Sequence, residues 1–132
     1  MERPAIRLSA TVLGCPDPIA LGEFYAQLLG WVVGQSDPDW VTVRPPSAGP
    51  GLSFQREADL DPPAWPARPG APRMASHLDI EVTDLDAEVA RAVELGARPA
   101  EFQPQRHVRV MRDPAGQVFC LFNDDLAEDG TG

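Results

Sequence analysis

The sequence predicts an α+β protein built from two tandem βαβββ units, and three observations carry that prediction. Two stretches with apolar residues at helical spacing, 17-DPIALGEFYAQLLGW-31 and 84-DLDAEVARAVELGA-97, each open on an Asp and close on a Gly. Each is preceded by a period-two segment, 5-AIRLSATVL-13 and 75-ASHLDIEV-82. Each is followed by three short β-like runs, so one order of elements is written twice along the chain.

In the first unit Asp17 is the helix N-cap and Pro18 takes the first helical position, where a missing N–H costs nothing. Leu21, Phe24, Tyr25, Leu28 and Leu29 form an apolar stripe, and Gly30 is the stop. Strand-like runs follow at 31-WVVG-34, 39-DWVTVR-44 and 51-GLSFQRE-57. In the second unit Asp84 is the cap, Leu85, Val89, Ala92 and Val93 form the stripe and Gly96 is the stop; the runs are 97-ARPAEF-102, 107-HVRVMR-112 and 117-QVFCLF-122. Between the copies lies 58-ADLDPPAWPARPGAPR-73, whose five prolines forbid a central strand or a helix interior. The 132 residues are thus read as one domain: module 1 over 5–57, a Pro-rich linker over 58–73, module 2 over 74–123 and an acidic tail over 124–132, expected to fray.

Composition narrows the chemistry. At 43% hydrophobic and 23% charged the chain is globular, with no apolar run long enough to span a bilayer. Its start, 1-MERPAIRLSATVL-13, lacks the continuous apolar core of a secretory signal, which points to the cytoplasm. Cys15 and Cys120 are then expected as free thiols. Eleven basic against twenty acidic residues give a charge of −9, which disfavours nucleic acid and anionic membranes as partners. All the basic residues are arginine, so Schiff-base chemistry and a P-loop lysine are excluded. No G-x-S-x-G, G-x-G-x-x-G or H-E-x-x-H occurs either.

The paired βαβββ units, the helix ending 24-FYAQLLGW-31 and the late turn 113-DPAG-116 leading into an apolar strand resemble the vicinal-oxygen-chelate superfamily, the group of glyoxalase I, bleomycin-resistance proteins and extradiol dioxygenases. Nearly the whole chain is covered, and small bacterial glyoxalase-like domains are the nearest likeness. The resemblance implies mixed sheets around a common concave cleft with the helices outside, and a homodimer. It also implies where a metal would sit in the enzymes of the group: on the first and fourth strands of each module, where nitrogen and oxygen donors hold Fe, Mn, Ni or Zn and leave positions open for a substrate's adjacent oxygens. Seven residues before each capping Asp, the first-strand positions are Ala10 and His77. The fourth-strand positions are read as Gln55 and Cys120. Alanine cannot bind a metal, and a cysteine between Phe119 and Leu121 is expected to be an inert buried thiol. No metal or other cofactor is therefore expected, with His77 the only strong ligand if one is bound.

On a regular strand His77, Asp79 and Glu81 share one face, opposite Leu78, Ile80 and Val82. The expectation is that the polar face lines the cleft, Asp79 orienting the imidazole and Glu81 facing water. If Val108 and Val110 point to the helix layer, then His107, Arg109 and Met111 point into the cleft, with Arg109 as an anion clamp or paired to Asp79 or Glu81. Trp40, Trp65 and Phe102 are candidate aromatic walls, and the Trp65 loop is a candidate lid or sheet cover. The preferred function is a metal-free protein that binds a small molecule in a cleft. The alternatives are a metal-dependent lyase, isomerase or dioxygenase of the same superfamily, and a regulatory module whose partner is another protein.

Overall fold

The computed structural model describes residues 5–127, which divide into two compact units meeting between Leu60 and Asp61. The first contains β1 (Ala10–Cys15), α1 (Pro18–Leu29), β2 (Val32–Asp37), β3 (Trp40–Arg44) and β4 (Gly51–Arg56). The second contains β5 (Leu78–Glu81), α2 (Leu85–Glu94), β6 (Arg98–Pro99), β7 (Val108–Arg112) and β8 (Val118–Phe122). Each unit is an open four-stranded mixed sheet with one helix, ordered β1-β4-β3-β2 and β5-β8-β7-β6. In both, the first strand runs parallel to the last and the other pairings are antiparallel.

Both helices start and stop on the expected residues. The Asp17 carboxylate accepts from the Ala20 N–H at 3.1 Å, and the Asp84 carboxylate accepts from the Ala87 N–H at 3.1 Å. Gly30 ends α1 in the left-handed region at φ 71°, while the chain leaves α2 through Leu95 and then Gly96 at φ 118°. In the first unit Leu21, Phe24, Tyr25 and Leu28 of α1 are buried with Val41, Val43, Leu52 and Phe54 of the sheet. The Tyr25 and Phe54 rings stack at 5.8 Å between centroids. Helix and sheet approach closely at Gly22, where an added Cβ would stand 2.6 Å from Val41 Cγ1.

The strands differ from expectation mainly in length. β1, expected over 5–13, runs from Ala10 to Cys15, and its pairing begins where the partner strand β4 begins, with the Gly51 N–H donating to the Ser9 carbonyl at 2.9 Å. β6, expected over 97–102, is regular only over Arg98–Pro99, with the Ala100 N–H still donating to the Val110 carbonyl at 2.9 Å. β2 is longer than 31–34, since a register shift between Val33 and Ser36 lets polar residues continue the ladder. The second polar segment, read as a strand from Ala75, is regular only over Leu78–Glu81, which leaves His77 one residue before it. The start of the tail is not frayed: Asp124–Leu126 form a 3-10 turn capped by the Asn123 side chain, and residues 128–132 lie outside the described residues.

From Asp61 onward the Pro-rich segment belongs to the second unit and is docked on it. Pro63 and Ala64 are buried, the Arg112 guanidinium donates to the Pro63 carbonyl at 2.8 Å, and Trp65 packs on Val110, Val118 and Cys120 together with Met74, Ala100 and Val108. The indole N–H donates to the Phe102 carbonyl at 3.0 Å, so the ring is held at its polar edge as well as by its faces.

Candidate functional site

Strand register decides which side chains of the second unit meet. Asp79 is opposite Cys120, which is opposite Val110 in turn, so these three share one face. Leu78 with Phe119 and Met111, and Ile80 with Leu121 and Arg109, share the other. Met111, Phe119 and Leu121 are fully buried there, and α2, with Leu85 and Ala92 buried, is the element that packs on β8 and β6. The acidic strand residue Asp79 therefore stands away from the helix, as strand periodicity requires.

His77 returns to the same group although it precedes the strand: its Nε2 is 3.0 Å from Asp79 Oδ1. The imidazole side chain is one-third exposed and the carboxylate more so, which makes this a solvent-facing pair rather than a buried one. Beneath them Cys120 is buried, and its thiol is pushed up from 9.0 to about 11, first by burial and then by the neighbouring Asp79 charge. One donor atom from each of the three residues lies within 4.8 Å of the others. The arrangement is the side chains of Asp79 and His77 in contact above a thiol that keeps its proton at neutral pH.

In the first unit the face away from α1 carries Ala10, Val12, Trp40, Thr42, Ser53 and Gln55, since Val12 pairs with Ser53 and Trp40 with Gln55. Here the expectation for the fourth strand is corrected. Relative to the parallel first strand, Cys120 stands opposite Asp79 as Ser53 stands opposite Val12, and the offset that carries Asp17 onto Asp84 also carries Ser53 onto Cys120. The counterpart of Cys120 is Ser53, two residues earlier than Gln55, whose own counterpart is Phe122. Ser53 is 4% exposed, whereas the exposed Gln55 amide donates to Glu57 at 2.8 Å. A cavity of about 130 Å³ is lined by Ala10, Trp40, Thr42 and Ser53 among others, where a longer first-strand side chain would otherwise project.

Arg109 is the clearest correction. It pairs with Leu121, on the opposite face from Asp79 and Cys120, and its guanidinium donates to the Arg106 and Val108 carbonyls at 2.9 and 3.0 Å. It can neither clamp a ligand beside His77 nor pair with Asp79. The faces of β7 are the reverse of those its polarity predicts: Val110 packs with Cys120, and Met111 lies in the opposite layer. His107 belongs to the turn before β7, half-buried, its carbonyl accepting from the Asn123 N–H. Trp65 does reach the Cys120 face; Met74, which carries no chemistry that would single it out in the sequence, packs there too.

Do these residues fit a chelated metal? The first-module positions offer a methyl at Ala10 and a neutral hydroxyl at Ser53. In the second module His77 Nε2 already faces Asp79 and the thiol holds its proton. The set does not fit a hard divalent ion such as Fe(II) or Mn(II), which wants several nitrogen and anionic oxygen donors. Zinc is the ion whose preferences cover imidazole, carboxylate and thiolate together, and it would have to displace the Cys120 proton.

A model of the glyoxalase-like domain family matches residues 10–122. No curated protein matches the chain. Among solved structures, a glyoxalase/bleomycin resistance protein/dioxygenase family enzyme from Burkholderia phytofirmans superposes with a TM-score of 0.65 at 18% identity, covering 89% of this chain and 98% of its own. The bleomycin-binding protein of bleomycin-producing Streptomyces verticillus, solved with copper(II)-bleomycin, gives 0.54 at 21% identity over 92% and 98%. An antibiotic-binding protein from another Streptomyces, TnmS3, gives 0.54 at 20% over 92% and 98%. At these identities the likeness is one of fold.

Proposed function

The chain belongs to the glyoxalase-like domain family, and from that premise we propose that it binds a small molecule on the helix-free face of its second module without using the family's chelated metal. One observation carries the proposal: of the four positions where the resemblance would set ligands, Ala10 and Ser53 supply no strong donor and Cys120 is a protonated thiol. What remains is a half-exposed imidazole–carboxylate pair, His77 and Asp79, above an apolar floor of Val110, Val118 and Cys120 bounded by Trp65 and Met74. A few placed polar groups over an apolar surface suit a neutral or weakly basic organic ligand. The antibiotic-binding relatives in fold support the same class of ligand. In this reading the imidazole donates or accepts toward the ligand while Asp79 holds its other requirements fixed.

A second reading, a metal-dependent lyase, isomerase or dioxygenase, is favoured by the His77, Asp79 and Cys120 donors lying within 4.8 Å of one another. Two measurements separate the readings. Metal analysis of untagged protein purified without chelators is expected to find well under one equivalent of Fe, Mn, Ni or Zn, and near-stoichiometric metal would overturn the metal-free reading. Titration with a panel of aromatic antibiotics and copper(II)-bleomycin, followed by tryptophan fluorescence, is expected to give saturable binding that His77→Ala weakens. A panel hit insensitive to His77→Ala and Asp79→Asn alike would move the binding surface elsewhere.

A further inference from the structure

Three arginines meet around one cavity of the second unit that shares Trp65 with the proposed ligand face but none of its polar groups. Arg98 of β6 and Arg112 of β7 are direct cross-strand partners, and with Arg68 of the Pro-rich segment they line a cavity of about 320 Å³. Like charges directly opposite one another in an antiparallel pair repel and destabilise the pairing. The usual relief is a carboxylate, yet no Asp or Glu lines this cavity, and among the described residues none of the three arginines pairs with one. In a chain with 20 acidic and 11 basic residues, three cations gathered without a carboxylate are an uneven use of scarce positive charge.

The geometry also preorganises one of the three. Nη1 of Arg112 donates to the Pro63 and Gly116 carbonyls at 2.8 Å each, which fixes the guanidinium plane and leaves Nε and Nη2 unspent. Arg68 and Arg98 are exposed and free to close on whatever enters. Guanidinium groups present forked donors matched to the oxygen pairs of phosphate, and convergence of three offers more donor directions than a planar carboxylate can use.

We infer that this cavity is a binding site for a phosphate-type dianion, either free phosphate or the phosphate group of a small monoester. The dianion neutralises the facing Arg98–Arg112 pair and bridges it to Arg68, tying the Pro-rich segment to the sheet. Because the site opens to solvent and the chain is acidic, binding is modest and weakens as salt screens it.

The test is calorimetric titration of the full chain with inorganic phosphate, and separately with phenyl phosphate, at low ionic strength. Saturable one-to-one binding, weakened about fivefold or more in Arg98→Gln and in Arg68→Gln but unchanged in Arg56→Gln, is the expected result. Arg56 serves as the control because it sits in the first unit within 3.6 Å of Asp39. Tighter binding of phenyl phosphate would assign the site to an organic monoester, and equal binding to the free ion. Absence of saturable binding up to about 10 mM, where a useful millimolar site would be filled, overturns the inference. So does binding that survives both substitutions.

Discussion

Cys120 and Asp79 stand opposite one another on paired strands, and burial first, then the Asp79 carboxylate, makes a thiolate at Cys120 more costly. The thiol's ordinary value of 9.0 is raised to about 11 in the folded chain. The stability this represents is fully present below pH 9.0 and is lost as pH rises toward about 11, because the unfolded chain releases the proton first. Denaturation at pH 8 and at pH 10.5 is therefore expected to show a loss about 1–2 kcal/mol larger in the wild type than in Cys120→Ala; equal losses would mean that the thiol titrates normally. Asp79→Asn removes the second cause of the shift but not the first, so in a Cys15→Ser background alkylation of Cys120 by iodoacetamide at pH 8.5 speeds up without reaching the rate of an exposed thiol. His77 has a side chain one-third exposed, and its removal is expected to weaken ligand while leaving stability within about 1 kcal/mol. A larger loss in thermal or chemical denaturation would make His77 a structural residue.

At the scale of elements, the two helices depend on different features. α1 lies so close to its sheet that a methyl at position 22 meets Val41, and Gly22→Ala is expected to destabilise the protein by about 1–3 kcal/mol despite the better helix propensity of alanine. A neutral or stabilising result in urea unfolding would show that the contact relaxes freely. The caps were legible in the sequence because Asp at the N-cap and Gly past the end act through neighbouring backbone groups. Strand ends were less so. Nothing within 5-AIRLSATVL-13 says that pairing begins at Ala10; that limit depends on the partner strand, which begins at Gly51, far along the chain. The faces of β5 were read correctly from its alternation of Leu78 and Ile80 with Asp79 and Glu81. In β7, by contrast, arginine and valine alternate while both faces are partly covered, so polarity pointed the wrong way for Arg109 and Met111.

For the whole molecule, the open sheets leave β1, β2, β5 and β6 as edges. Beside the β1 edge Ile6 and Leu8 are 78% and 71% exposed, and Val12 in the strand is 50% exposed. Apolar groups along an unpaired edge favour association with a second copy, so sedimentation is expected to give a dimer mass; a monomer at all concentrations would refute it. Among the described residues no helix is long and apolar enough to cross a membrane. The sequence by itself determined the duplicated βαβββ order, both helix boundaries and the shared face of Asp79 and Glu81, because these follow from periodicity and from contacts between residues close along the chain; that His77 meets Asp79 rather than an arginine was one of two readings it left open. Only the tertiary structure decided that Ser53 rather than Gln55 corresponds to Cys120, that Arg109 lies beneath the sheet, and that Arg68, Arg98 and Arg112 converge. Those placements depend on strand register and on how the Pro-rich segment docks, and a shift of one or two residues in either, invisible in local sequence, exchanges one face for the other.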